Sequence, residues 1–403
     1  MPAHEQLLVR DTGESGTPTT PRSGRWWLRA WTVRLLLVSL ALAGCTVGDS
    51  SEPPPPPPPS APPTAADECA SPAARPDRDA SIRHLLTKLT DDTSGGAVLA
   101  ISKGGEPVRF CAAGRADRAG RELRRDDVFR IGSITKTFVA VLVMQLVEEG
   151  RLDLGTPVDR LLPGVPWTTG VTVEQLLNHT SGVPDHYDVL FPHVRADWDR
   201  VWTPEEVLTL VDTRRRPFEP GTDQEYSNTN YLLLGMLLEA VTGRSWAELL
   251  EERILAPLGL TRTGTGVDGP VPVTGFSSDF GIDRDSEGIS YRAMATAAGA
   301  AGGMVSTAPD LATFFTALAS GELVGRDSLD RMTAFVPSDD GAWYGLGLGL
   351  VPFPSGDGFG HGGDIPGYQS LAAVRPESGD LVVVLTNDEN FPIVDVERIL
   401  TAW

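Results

Sequence analysis

Lysine is nearly missing from this chain of 403 residues: Lys88, Lys103 and Lys136 stand against 31 arginines. Arginine stays protonated at any working pH whereas lysine can lose its proton, so each surviving Lys carries more information. Cysteine is equally scarce, with only Cys45, Cys69 and Cys111, and neither a Cys-x-x-Cys pair nor a Cys/His cluster occurs. A cysteine metal site is therefore not expected. The Gly-x-Ser-x-Gly elbow of the α/β-hydrolases is absent as well. Excess positive charge is lacking: the formal net charge is −20, and the first 44 residues, with five Arg against Glu5, Asp11 and Glu14, contribute none of that acidity. So acidic a body argues against nucleic acid or an anionic membrane surface as partner.

What is present begins with an export pattern. Residues 35–43 (LLLVSLALA) follow Arg34. The run falls well short of the ~20 residues that span a bilayer, but a basic flank and a short apolar core fit a secretory signal. It ends in Leu42-Ala43-Gly44-Cys45, which resembles the bacterial lipobox, in which the Cys becomes the lipidated first residue. Residues 1–44 are thus expected to be a signal peptide and Cys45 the lipid anchor on the outer face of the cytoplasmic membrane, the only contact with a membrane; an ordinary cleaved signal releasing a secreted chain is the alternative. Residues 45–76 are rich in Pro, Ser, Ala and Thr, with seven consecutive prolines at 53–59. Such a run adopts extended polyproline II and acts as a stiff spacer. In an oxidising compartment the two remaining cysteines, Cys69 and Cys111, tend to pair; two buried thiols are the alternative.

Residues 77–403 read as the folded part, one large domain or two joined subdomains. A helix is expected over 77–90. Strands are expected over 97–102 and 107–112, flanking a Lys-Gly-Gly-Glu turn. Helical periodicity covers 133–149 and ends at Gly150. Helical patterns continue at 172–178, 204–213, 230–241, 245–255 and 309–320. Strand signals return over 344–352, 369–375 and 381–387, before a last helix at about 393–403. Strands lie at both ends and helices between, so the ends must meet in one sheet. The expected fold class is α+β: an antiparallel sheet flanked by helices, with a mostly helical lobe over about 131–290 inserted in it. A cleft between sheet and lobe is a natural site.

Three short motifs carry chemistry. In Ser133-Ile134-Thr135-Lys136 a serine and a lysine three apart share one helix face. Ser133 stands at the helix start, where unpaired N–H groups favour negative charge, and a desolvated Lys136 can take the hydroxyl proton. The competing reading is a capping Ser beside a solvated Lys. Tyr226-Ser227-Asn228 precedes an apolar helix; a Tyr beside a Lys can relay protons as phenol or phenolate, and an Asn can hold a substrate amide. The competing reading is helix-entry chemistry, with Asn228 or Asn230 as cap. His361-Gly362-Gly363 lies just before the strand at 369–375, where glycines admit a close backbone approach; the competing reading is a turn with an incidental His. His179, His186 and His193 are seven apart, a poor ligand spacing interrupted by Gly182 and Pro184, so no metal is expected there and His179 is read as a turn-stabilising residue.

In order and spacing the three motifs resemble those of the serine β-lactamase and penicillin-binding superfamily, Ser-x-x-Lys, Tyr-x-Asn and Lys/His-x-Gly. The Tyr and His forms resemble the branch of D-alanyl-D-alanine carboxypeptidases, class C β-lactamases and related esterases. Leu176-Leu177-Asn178-His179-Thr180-Ser181-Gly182, Ala301-Gly302-Gly303-Met304-Val305-Ser306-Thr307 and Pro366-Gly367-Tyr368 extend the likeness over roughly residues 80–403. The resemblance implies Ser133 as nucleophile, Lys136 and Tyr226 as its proton managers, Asn228 as substrate holder and His361 in place of the third-motif lysine. It places the oxyanion between the N–H groups of Ser133 and Asp364, and implies no cofactor. The expected activity is hydrolysis of amide or ester bonds in a small peptide, cell-wall peptide included, or a small ester. A carboxylesterase and a non-catalytic surface binder of the same fold are the alternatives.

The chain departs from that pattern in one region. The family's Thr between His and Gly is Gly362 here, Asp364 puts an acid at the mouth, and no Arg or Lys occurs between Arg331 and Arg375. A substrate carboxylate facing Asp364 without a counter-charge is repelled. D-Ala-D-Ala cleavage and β-lactam hydrolysis are therefore expected to be weakened in favour of an ester, or of a neutral or cationic acyl substrate.

Overall fold

Two apolar runs at opposite ends of the folded part, GAVLAIS and DLVVVLT, lie side by side as inner strands of one sheet. The computed structural model describes residues 76–91, 93–211, 216–277, 291–338, 341 and 343–393. The export signal, Cys45, the proline segment, Cys69 and nearly all of the expected last helix fall outside the described residues. The strands are β1 (Gly96–Ser102), β2 (Arg109–Gly114), β3 (Phe129–Arg130), β4 (Gly264–Thr265), β5 (Met304–Ser306), β6 (Val336–Pro337), β7 (Trp343–Tyr344), β8 (Gly349–Phe353), β9 (Gly356–Ile365), β10 (Tyr368–Arg375) and β11 (Asp380–Thr386). Eight of them form a sheet in the order β2-β1-β11-β10-β9-β8-β7-β6, and β3-β5-β4 form a second, small one. All the ladders are antiparallel. The register Ala97↔Thr386 through Ser102↔Leu381 brings the two ends of the domain together.

Every residue of β1 and of β11 is buried, because both sheet faces are covered. Successive side chains alternate between faces. Val98 and Ala100 therefore join the main core, while Ala97, Leu99 and Ile101 pack with Ile82 and Leu86 of the helix Pro76–Thr90. The other face carries the helix Ala308–Ser320 and, through it, the helical region. There the helices Thr135–Glu148, Asn228–Thr242 and Arg292–Gly302 pack on one another. The first is apolar almost all round and buried from Thr135 to Met144, the pattern of a central helix. Phe138 stacks on Phe314 with ring centroids 3.7 Å apart, tying it to the helix on the sheet.

The expected strand at 344–352 is divided into β7 and β8 by a turn at Gly347, whose φ is +75° and whose carbonyl accepts a 2.8 Å hydrogen bond from Thr137 Oγ1. His361-Gly362-Gly363 is not a turn before the next strand but part of a strand, β9. The run GDGFGHGGDI has little strand propensity; its glycines answer to packing. A Cβ on Gly360 would sit 2.2 Å from the Ala372 carbonyl, and one on Gly363 2.0 Å from the Ile131 carbonyl. The helices Tyr187–Ala196 and Arg326–Met332, too short or too broken to signal themselves, are also present.

Candidate active site

Ser133 lies in a 3-10 turn, Gly132–Ile134, that leads into the helix Thr135–Glu148. Hydrogen bonds hold the turn on three sides. The Ile131 N–H donates to Met304 O over 3.2 Å, Ser370 Oγ donates to Ile131 O over 2.9 Å, and Thr135 Oγ1 donates to Gly132 O over 2.7 Å. Gly132 has φ +48°, and a Cβ there would lie 2.9 Å from the Asp364 nitrogen. The Ser133 turn and the end of β9 thus run in contact, carrying the two backbone N–H groups expected to face an oxyanion.

One turn along the helix, Lys136 is fully buried. Its Nζ donates to Asn228 Oδ1 over 2.7 Å and to the Ala301 carbonyl over 2.6 Å, and lies 2.9 Å from Ser133 Oγ. No salt bridge holds it among the described residues. Burial drives its pKa down to about 7, partly opposed by the charge of Asp185. The capping-Ser, solvated-Lys alternative therefore fails: the start of this helix has no side-chain cap, and the amine is out of water.

Tyr226 covers the pair. Lys136 Nζ stands 4.8 Å from its ring centroid, and Ser133 is among the groups that act on its phenol. Burial raises its pKa well above 10, so at neutral pH it is a phenol; the phenolate form expected as an alternative is disfavoured. Asn228 opens the helix Asn228–Thr242 but is not its cap. Ser227 is the cap residue, without a side-chain bond. Asp185, from the loop before the helix Tyr187–Ala196, accepts from the Asn228 backbone N–H over 2.9 Å and from its Nδ2 over 3.1 Å.

His361, on β9, completes the wall. Its Nδ1 is 2.5 Å from the Gly362 carbonyl and its Nε2 2.7 Å from Tyr344 Oη. A carbonyl only accepts, so Nδ1 holds the proton and Nε2 accepts from the Tyr344 hydroxyl. Burial, then the charge of Lys136, lowers its pKa to about 3, leaving a neutral imidazole. Gly362 and Gly363 follow it on the strand, half-buried, and the half-buried Asp364 has its pKa raised to about 7 by burial and by Glu389.

Other members of this assembly stand outside the three motifs. His179 sits in the left-handed region, φ +63°, and is fully buried. Its Nδ1 accepts from the Ser227 N–H at 3.2 Å and from Asn230 Nδ2 at 3.0 Å, and its ring packs 4.2 Å from that of Tyr226. It stabilises a turn, as expected, and also holds the Tyr226 ring. His186 bonds Thr229 over 3.1 Å and His193 packs on Trp202, so the three histidines have different partners. Tyr344 and Asp185 stood in no motif; the two-residue strand of the one and the loop of the other carry no pattern that marks them.

An alcohol against a buried amine, a phenol above both and two backbone N–H groups beside them fit a serine hydrolase. The chain belongs to the Beta-lactamase family, whose profile matches residues 79–401. Penicillin-binding protein 4* of Bacillus subtilis is 29% identical, the match covering 73% of this chain and 68% of that protein. Esterase EstB of Burkholderia gladioli is 34% identical over 42% of this chain and 46% of its own length. The D-amino acid amidase of Ochrobactrum anthropi SV3, solved with L-phenylalanine amide, superposes with a TM-score of 0.72 at 30% identity, covering 81% of this chain and 98% of that one. The fold is the one seen in that amidase.

Proposed function

We propose that the chain hydrolyses amide or ester bonds of small substrates through an acyl-enzyme on Ser133. The observation that carries this is the 2.9 Å approach of a buried Lys136 amine, with a pKa near 7, to the Ser133 hydroxyl. The neutral amine takes the hydroxyl proton as Oγ attacks the substrate carbonyl. The N–H groups of Ser133 and Asp364 receive the negative charge that forms on the carbonyl oxygen; each preorganised donor of this kind contributes about 3–4 kcal/mol. The carbonyl re-forms as the leaving amine or alkoxide departs with a proton passed from Lys136 through the Tyr226 phenol. Water, deprotonated by the same pair, then releases the acid.

Within this class, the wall after His361 favours particular substrates. Gly362 leaves space where a hydroxyl would hold a carboxylate, and Asp364 and Glu389 put acid there. A carboxylate-ended D-alanyl peptide or a penicillin meets repulsion that grows as Asp364 ionises above pH 7, whereas an ester, or an amide with a free ammonium group, does not. The likeness to a D-amino acid amidase supports the latter. We further propose export, lipid anchoring through Cys45, and pairing of Cys69 with Cys111; the disulfide-bonded state of Cys111 supports the pairing. Nitrocefin, penicillin, a D-Ala-D-Ala peptide, a D-amino acid amide and a p-nitrophenyl ester, assayed side by side, test the reading. Turnover of the amide or ester, lost in Ser133→Ala, is expected. Wild type that gains no acyl mass from any of them, and no phosphonyl mass from a fluorophosphonate, means a non-catalytic binder.

A further inference from the structure

We propose that Asp185 is a positioning residue for the acylation step, which directs the lone pair of Lys136 at Ser133 by fixing the orientation of the Asn228 amide. The inference rests on the serine hydrolase reading and adds to it a residue outside the three motifs.

The argument is one of donors and acceptors. A neutral amine has two N–H donors and one lone pair. Around Lys136 Nζ stand three oxygens: Asn228 Oδ1 at 2.7 Å, the Ala301 carbonyl at 2.6 Å and Ser133 Oγ at 2.9 Å. The Ala301 carbonyl can only accept. If the amide oxygen of Asn228 also faces the amine, both N–H groups are engaged. The lone pair is then left for the one neighbour that can donate, the Ser133 hydroxyl. If the amide were turned over, its Nδ2 would donate to the lone pair, and the base would be blocked.

Asp185 decides between these states. Its two oxygens accept from the Asn228 backbone N–H at 2.9 Å and from Asn228 Nδ2 at 3.1 Å. A carboxylate has nothing to donate, so turning the amide would set two acceptors face to face. The backbone bond anchors the carboxylate at the start of the helix Asn228–Thr242, where the N–H groups are otherwise unpaired. Ser227, the cap residue, makes no competing side-chain bond there.

The same carboxylate supplies the charge that opposes the burial of Lys136. The other titratable groups that face the amine add no negative charge. His179, His186 and His361 are neutral imidazoles that lie in its field. Tyr226 and Tyr231 present rings at 4.8 and 5.5 Å and stay protonated, as does Tyr344 behind them.

The test measures acylation of the full chain by p-nitrophenyl acetate in stopped flow from pH 5 to 9. Wild type, Asp185→Asn and the exchanged pair Asp185→Asn/Asn228→Asp are compared. Asp185→Asn is expected to lose about 10- to 100-fold in plateau rate, and its acid limb moves to lower pH because the amine has lost its nearby charge. In the exchanged pair, residue 228 offers oxygen to Lys136 whichever way it turns. Part of the rate is then expected to return, with the limb above that of wild type. A merely structural anchor would lower the rate without moving either limb, and that result overturns the inference, as does an Asp185→Asn variant that acylates like wild type. Wild type that takes up no acyl group overturns the hydrolase reading and this inference with it. Should Asp185→Asn fail to fold, the exchanged pair alone decides by the direction of its limb.

Discussion

Among the described residues three helix starts are closed by capping boxes, and two starts that carry a serine are left without a side-chain cap. At Thr172, Thr203 and Ser245 the hydroxyl accepts from the backbone N–H three residues on, and the Gln or Glu at that position bonds back, closing a capping box. At Ser133 the spacing is the same, but the residue three positions on is a lysine. Lysine has no acceptor to return the bond, and the hydroxyl faces the amine instead of the backbone. At Ser227 the side chain makes no capping bond either, and Asp185 serves the helix from outside. Capped starts spend their hydroxyls on local stability. The two starts that leave theirs uncapped are those that meet at the site.

This contrast can be broken from either side. The largest effect is expected at Ser133→Ala, which should lower acylation by at least about 10⁴-fold with little loss of stability, because this hydroxyl caps nothing; mass spectrometry after fluorophosphonate treatment reads it. Gly363→Ala comes next. Its Cβ would collide with the Ile131 carbonyl, pushing β9 off the nucleophile turn. A cost of about 1–3 kcal/mol in denaturant unfolding and a disproportionate loss of acylation are expected together. Lys136→Met removes the base and also a stability effect that depends on pH. The folded pKa is about 7 against an ordinary 10.5, so between those values the unfolded chain holds one more proton than the folded one. Wild-type stability should therefore rise through that window by up to about 1.4 kcal/mol per pH unit relative to Lys136→Met, as read by urea melts at pH 7, 8 and 9. The smallest effect is expected at Thr203→Ala, which opens a true capping box: about 1 kcal/mol of stability and unchanged acylation.

Much of this was legible in the sequence, for reasons that particular residues make plain. The β1 and β11 runs are apolar at nearly every position, and such runs are buried whatever surrounds them. Ser133, Lys136, Tyr226, Asn228 and His361 announced themselves by motif spacing. β9 did not read as a strand, because its glycines answer to the backbones of Ile131 and Ala372, and those contacts join distant parts of the chain. Asp185 and Tyr344 were silent for the same reason. An aspartate 43 residues before Asn228 has no local pattern to betray that it orients an amide, and the Tyr344 hydroxyl acquires meaning only beside His361.

The central claim is that a neutral Lys136 activates Ser133, and the pH dependence of acylation by p-nitrophenyl acetate tests it most directly. Asp364 also has a pKa near 7, so Asp364→Asn must be measured beside wild type and Lys136→Met. The account predicts a rate that climbs through a midpoint near pH 7 in wild type, keeps that climb in Asp364→Asn and loses it in Lys136→Met. A climb that survives in Lys136→Met, or vanishes in Asp364→Asn, would contradict it.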